Sequence, residues 1–253
     1  MSEEVLVAVR EGVLEVTINR ADARNAMTKA AAEAIAAAMD RLEAEDDLRC
    51  AILTGAGGTF CSGMDLKGFL KGEMPVAGDR GFAGLTAWTP KKPVIAAVDG
   101  YALAGGMELA LACDMIVAGR GAKFGMPEAK RGMVAAGGGV VQLPRLLPRP
   151  LAMELALTGD PISAERAYDL GLINMLTDGP AIDGARLLAQ RVAANGPLAL
   201  IASKGIVRDS WLWMDDQITS NQNRYIEHVF ASDDAREGAT AFAEKRKPVW
   251  KGH

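Results

Sequence analysis

Glu108 and Glu128 are the two side chains best placed for chemistry. Glu108 falls one helical turn into an otherwise apolar segment, Met107 to Cys113. A charged residue is rarely fully buried without a partner, so Glu108 either faces a cleft or begins a solvated face. Glu128 follows Met126-Pro127 in a loop framed by Gly125 and Gly132. Alone, it also reads as a first-turn glutamate favoured by a helix dipole. As a pair, the carboxylates point to something sharper. Adding water across a conjugated double bond requires a base for the water and an acid for the carbon, each working near the operating pH. Two carboxylates in one apolar pocket supply both, because burial and mutual repulsion hold one of them protonated.

Gly105-Gly106 offers these carboxylates a partner, since it stands between a buried strand and a helical run. Backbone N–H groups at such a place lack acceptors and can bind an anion, or the oxyanion that develops on a reacting carbonyl. The alternative is an ordinary strand–helix turn. Beside the carboxylate pair, an oxyanion site would stabilise the enolate of a thioester. The other glycine-rich stretches point elsewhere. Gly55-Ala56-Gly57-Gly58 and Gly137-Gly138-Gly139 both lack the Gly-Lys-Ser/Thr ending of a phosphate loop and the spacing of the dinucleotide fingerprint. They read as tight turns.

The elements that must position these groups follow from periodicity. Val5, Val7 and Val9 alternate, as do Leu14, Val16 and Ile18, with Glu11-Gly12 between them, which predicts a β-hairpin. Thr28 offers an N-cap to an Ala-rich helix running to about Asp46, with Ile35, Met39 and Leu42 on one face. Cys50–Leu53, Val94–Val98 and Met115–Ala118 read as buried strands. Ser163 caps a short helix that Gly171 ends. Strands alternating with helices continue to about Ile173, an α/β pattern. From Ala181 the signals are helical only, with interruptions near Asn195-Gly196-Pro197 and Ser232-Asp233-Asp234. We therefore expect an α/β catalytic core over residues 1–195 and a helical section over 196–253.

Composition narrows the class. The 253 residues are 49% apolar and 24% charged, enough to bury a core and too apolar for disorder. A net charge of −4 argues against a nucleic-acid binder. No apolar run approaches a membrane span, and the acidic Met1-Ser2-Glu3-Glu4 shows no signal peptide. Three widely spaced cysteines suit a reducing cytosol, and His228 and His253, as the only histidines, leave no basis for a histidine-built metal site. The expectation is a cytoplasmic enzyme without metal.

Several passages in order make the reading more specific. They are Asn19-Arg20 with Arg24-Asn25-Ala26-Met27, Thr54 to Leu66, Lys92 to Ala110, Phe124 to Glu128, and Glu237-Gly238 to Phe242 with Lys245 to Pro248. Through them the chain resembles the crotonase (enoyl-CoA hydratase/isomerase) superfamily over essentially its full length. The resemblance implies an α/β fold, a spiral of ββα units with a C-terminal helical trimerisation region, and trimers often paired into hexamers. It implies an acyl-CoA substrate, coenzyme A being part of that substrate and no separate cofactor being needed. The thioester carbonyl would sit between the backbone amides of Met64 and Gly105. Glu108 would orient and deprotonate water, and Glu128 would exchange the proton at C2, the role that needs the raised pKa. Arg24 would lie near the CoA phosphates and Ala26 near its adenine. Phe242 and Lys245 would reach the CoA nucleotide, commonly in a neighbouring subunit.

One departure stands out. Where the family commonly carries Pro-Gly-x-Gly-Gly, this chain has Val134-Ala135-Ala136-Gly137-Gly138-Gly139. Losing the proline frees a fixed φ and bears on the acyl side of the pocket. Gly68 to Trp88 carries no assignable motif and falls where family members build specificity. The reading is reversible hydration of a trans-2-enoyl-CoA to the 3-hydroxyacyl-CoA. Double-bond isomerisation and dehydration of a carnitine-like acyl-CoA are the alternatives within the family. A non-catalytic CoA-binding protein would be expected to have lost one of the glutamates.

Overall fold

A computed structural model describes residues 3–253; Met1 and Ser2, half of the acidic start, lie outside the described residues. The hairpin forms as Glu11-Gly12 signals. Strands β1 (Val5–Arg10) and β2 (Val13–Ile18) run antiparallel, with Arg10 paired to Val13. Glu11 (φ 49°) and Gly12 (φ 76°) both take positive φ, the conformation of a two-residue turn whose twist suits the strands. The alternation in β1 is only partly used. Val5 is buried, but Val7 and Val9 stay exposed, because neither hydrophobic cluster extends past Val5 on this edge strand.

The remaining strands are β3 (Cys50–Gly55), β4 (Val94–Val98), β5 (Tyr101–Leu103), β6 (Met115–Gly119), β7 (Lys123–Gly125), β8 (Ile162–Ser163) and β9 (Met175–Thr177). One sheet has the order β1-β2-β3-β4-β6-β9, parallel from β2 onward, and a small sheet has the order β5-β7-β8. Both faces of the large sheet are covered, which is why its central strands read as unbroken apolar runs. Ala51, Leu53, Val94, Ala96 and Val98 face helix α1 (Lys29–Ala44) and the main core. Their alternates Cys50, Ile52, Ile95 and Ala97 face a second cluster.

On α1, Thr28 Oγ1 accepts from Ala31 N–H (3.1 Å), and Ile35, Met39 and Leu42 are fully buried. Truncating any of the three to alanine is expected to cost about 2–5 kcal/mol. The helix ends two residues before the expected Asp46, where the Lys92 ammonium donates to the carbonyls of Leu42 (2.8 Å) and Glu45 (2.7 Å). Among the described residues only Phe60 and Phe124 are large buried aromatics, so aliphatic side chains fill most of the core.

Short helices follow the strands: α2 (Leu66–Phe69), α3 (Gly105–Leu111), α4 (Gly139–Leu146), α5 (Arg149–Thr158) and α6 (Ala164–Asp169). Helix α7 (Ala181–Ala193) closes the second face of the sheet through Ala181, Ala185 and Ala189. Gly184 lets it come close, since a Cβ there would stand 2.5 Å from Thr177 Cγ2. Helices α8 (Pro197–Asp209), α9 (Ile218–Phe230) and α10 (Asp233–Ala243) complete the chain. The expected breaks near 195–197 and 232–234 are both present. A third, at 210–217, has no counterpart in the sequence signals; there two 3-10 turns carry the exposed Trp211, Leu212 and Met214. Cys50, Cys61 and Cys113 are free and buried, and burial pushes the first two thiols up to about 12. Among the described residues no helix is long and apolar enough to cross a membrane.

Candidate active site

A cleft of about 680 Å³ is lined by both residues whose backbone amides are expected to hold a carbonyl. The first of these amides belongs to Met64. Met27 N–H donates to Gly63 O (2.7 Å), and Met27 O accepts from Asp65 N–H (3.0 Å). Met27 thus bonds to the residues on either side of Met64, which turns Met64's own N–H to the other side of the strand. Gly63 makes the approach possible. Its φ is +100°, and a Cβ would stand 2.9 Å from Ala104 Cβ and 3.3 Å from Gly105 N. The two amide-bearing segments are therefore in contact.

The second amide is that of Gly105, the first residue of α3, which has no helical carbonyl one turn back. It follows Ala104, whose φ of 53° and ψ of −129° are unusual for a residue with a Cβ. Such a conformation costs on the order of 1–3 kcal/mol and persists only where the surroundings impose it. Here Ala104 N–H donates to Gly125 O (2.9 Å), while Ala104 O accepts from Met107 (2.8 Å) and Glu108 (3.1 Å). Gly106 lies so close to the preceding layer that a Cβ would meet Cys61 O at 2.0 Å.

Arg20 ties the first of these segments to the N-terminal turn. Its guanidinium donates to Asp65 Oδ2 (2.9 Å) and to the Ala26 carbonyl, and it pairs with Glu4 (3.2 Å). Asp65 in turn caps α2, accepting from Lys67 (3.0 Å) and Gly68 (3.3 Å).

Glu108 and Glu128 line the same cleft, at 5% and 9% exposure. Glu108 reaches it from α3, and Glu128 from a 3-10 turn, Pro127–Arg131, whose first residue is the proline. Burial raises the pKa of Glu108, and the amides of Gly139 and Gly137 partly offset this. Gly139 N–H donates to Glu108 Oε1 at 2.9 Å. Burial likewise raises Glu128; its own backbone amide lowers it, and the charge of Glu108 raises it further. Glu128 Oε2 is buried with no hydrogen-bond partner among the described residues. The two carboxylates are therefore unequal: one is held by amides that favour its charged form, and the other has an orphaned oxygen that favours its proton.

Gly137-Gly138-Gly139 is thus more than the tight turn its spacing indicates. A Cβ at Gly137 would stand 2.8 Å from Glu108 Oε2, and one at Gly139 would stand 2.8 Å from Glu108 Cγ. The available signal was a glycine triplet shortly after Glu128, opening a helix. Sequence reasoning also missed Arg131, Phe82 and Met133, which line the cleft beside the glutamates. Val134, first residue of the departing stretch, lines the cleft while 71% exposed, and so stands at its mouth.

Of the expected site residues, one chain brings Arg24, Met64, Gly105, Glu108 and Glu128 into one cleft. Ala26 is half-buried behind Arg24 in sequence and does not line it. Phe242, 88% exposed on α10, and Lys245, exposed just after it, also lie outside the cleft lining.

The chain is similar to known proteins along nearly all of its length. The pattern of the family described as enoyl-CoA hydratase/isomerase matches residues 8–253. A carnitinyl-CoA dehydratase of Salmonella paratyphi A is 43% identical over 261 residues, covering 100% of both chains. The crystal structure of an enoyl-CoA hydratase from Mycobacterium marinum is 53% identical and superposes with a TM-score of 0.97, again over 100% of both chains. That of a carnitinyl-CoA hydratase from Mycobacterium avium is 41% identical with a TM-score of 0.80, over 100% of both chains.

Proposed function

The chain belongs to the enoyl-CoA hydratase/isomerase family, and from that premise we propose that it adds water reversibly across the double bond of a trans-2-enoyl-CoA. It is an enzyme of the hydro-lyase kind. The observation that carries the proposal is the meeting of two unequal buried carboxylates and two adjacent backbone amides in one cleft.

In the proposed reaction the thioester oxygen accepts hydrogen bonds from Met64 and Gly105. Glu108, whose charged form the Gly139 amide favours, orients water and takes its proton. The water oxygen bonds to C3, the π electrons move through C2 to the thioester oxygen, and the resulting enolate is stabilised by the two amides. Glu128, whose proton is favoured by burial and by the charge of Glu108, delivers it to C2. The 3-hydroxyacyl-CoA results, and the reverse sequence is dehydration. No cofactor enters the scheme.

Arg24 is assigned to the CoA phosphates and Ala26 to the adenine. Phe242 and Lys245 are assigned to the CoA nucleotide in a neighbouring subunit. We infer that residues 196–253 serve assembly into a trimer or hexamer. Exposed Trp211, Leu212, Phe230 and Phe242 on this section support that reading, since they leave apolar surface to cover. The proposed compartment is the cytoplasm.

Dehydration of a carnitine-like acyl-CoA is a second reading, favoured by the name of the 43%-identical relatives. It uses the same groups in reverse. The deciding experiment follows the absorbance of the conjugated enoyl thioester over a panel of acyl-CoAs that includes crotonobetainyl-CoA. Loss of absorbance with 2-enoyl thioesters supports hydration. Product with an intact double bond at C3 would replace it with isomerisation, and no change with any thioester would overturn the proposal.

A further inference from the structure

Between α2 and β4 the chain carries no recognisable motif, yet Met74, Val76 and Phe82 line the cleft. Val76 and Phe82 are held together as an antiparallel bridge, with Ala83 N–H donating to Pro75 O at 2.9 Å. Arg80 lies in the turn between them and does not itself line the cleft. Its side chain goes the other way, onto α1. There one guanidinium nitrogen donates to Ala36 O (3.1 Å) and another to the Asp40 carboxylate. The guanidinium carbon stands 4.0 Å from the centroid of the Trp88 ring, and Trp88 packs against the main core. A planar donor fork that also stacks is a geometry for arginine and not for lysine. Gly84 adds a second anchor: at φ +69° it comes so near α1 that a Cβ would meet Ala32 O at 2.5 Å.

The wall held in this way borders the chemistry. Phe82 lies against the α-carbon of Gly105, where a Cβ would meet Phe82 Cζ at 2.4 Å. An acyl group whose carbonyl reaches the Gly105 amide therefore lies beside Phe82, which is bridged to Val76 in the same cleft lining.

We propose that Arg80 sets the acyl-chain preference of the cleft, by pinning residues 74–88 to α1 and so fixing the wall formed by Val76 and Phe82; this rests on the acyl-CoA reading above. Arg80 is a positioning residue. With the pin removed the wall recedes. A short chain then has little left to pack against, while a long chain reaches other surfaces and has more room.

The test measures the affinity of two unreactive thioesters, butanoyl-CoA and decanoyl-CoA, by calorimetry on the full-length wild type, Arg80→Ala and Arg80→Met. Hydration of the matching enoyl-CoAs is followed in parallel. Arg80→Ala is expected to weaken butanoyl-CoA relative to decanoyl-CoA by about tenfold, the scale of one methylene in an apolar pocket. KM for the short substrate should carry the change while kcat is held, a split that general loss of structure does not produce. Arg80→Met keeps the apolar stem over Trp88 and should shift the ratio in the same direction by less. A folded variant of either kind with an unchanged ratio overturns the proposal. Failure of both to fold would assign Arg80 to stability and overturn it too. Wild type that binds neither thioester would overturn the acyl-CoA reading itself, whereas binding with an unmoved ratio overturns the role of Arg80 alone.

Discussion

Around Met64 and Gly105 the cleft is held by backbone hydrogen bonds and by glycines at which a Cβ would collide, whereas from Met74 to Trp88 such contacts are joined by a side-chain pin, Arg80 on α1 and over Trp88. The difference matches two kinds of task. Every thioester presents the same carbonyl, so the part around the two amides, the floor, can be rigid and indifferent to the acyl group. Acyl chains vary, and the wall is made of Val76, Phe82 and Met133, of which Phe82 also packs against the floor, at Gly105. The glutamates line the same cleft, one tied to backbone amides and the other with one oxygen lacking a partner among the described residues.

That contrast predicts which parameter each substitution moves. Glu128→Gln and Glu108→Gln should each lower kcat for a short enoyl-CoA by at least ~100-fold, the usual scale of a general acid or base. A purified variant turning over near the wild-type rate would remove that glutamate from the mechanism. Gly139→Ala should come next, lowering kcat about tenfold, because the added Cβ pushes Glu108 off its amide and misplaces the base. Removing a donor to the charged form also raises the pKa of Glu108, so the acid limb of the kcat/KM profile should move to higher pH. An unmoved limb would show that the amide does not tune the carboxylate.

Phe82→Leu trims the wall where it meets Gly105. It should raise KM by roughly threefold to tenfold at nearly constant kcat, an ordinary result for trimming an apolar pocket. If it cost as much kcat as Glu128→Gln, the division between floor and wall would fail.

The smallest effect is on stability and runs opposite to activity. The raised pKa of Glu128 means that its contribution to stability is fully present below the unfolded value of 4.5 and is lost as pH rises through the folded value. A neutral amide in its place carries no such dependence. Glu128→Gln should therefore melt a few degrees above wild type near neutral pH, with the difference shrinking toward pH 4, the scale being about 2–4 °C per kcal/mol for a chain of this size. A difference independent of pH, read by calorimetry, would place the effect elsewhere.

Much of the fold was legible because it rests on local signals. Glu11-Gly12 demands positive φ twice, Thr28 offers a cap, and the central strands are apolar without a break. The glutamate pair and Gly105 were legible for a related reason, as residues that fit poorly in ordinary helices and turns. The amide of Met64 was reached only through family resemblance, since nothing in a methionine announces that its N–H is unused. Gly137 and Gly139 read as turns because their partner, Glu108, is distant in sequence. Arg80 was invisible for the same reason: a surface arginine shows its meaning only when α1 and Trp88 are folded around it. The exposure of Val7 and Val9 depended on where the covering layers stop, which strand periodicity does not encode.

The amide floor has a consequence for inheritance. No change of codon deletes a main-chain N–H, except one to proline. The side chain of residue 64 can therefore change while its amide persists, and in the proposed mechanism half of the thioester grip persists with it. Residues 74–88 have no such protection. Substitutions within residues 74–88 should accordingly shift acyl preference, whereas a side chain added at Gly63, Gly105 or Gly106 would collide with the floor itself.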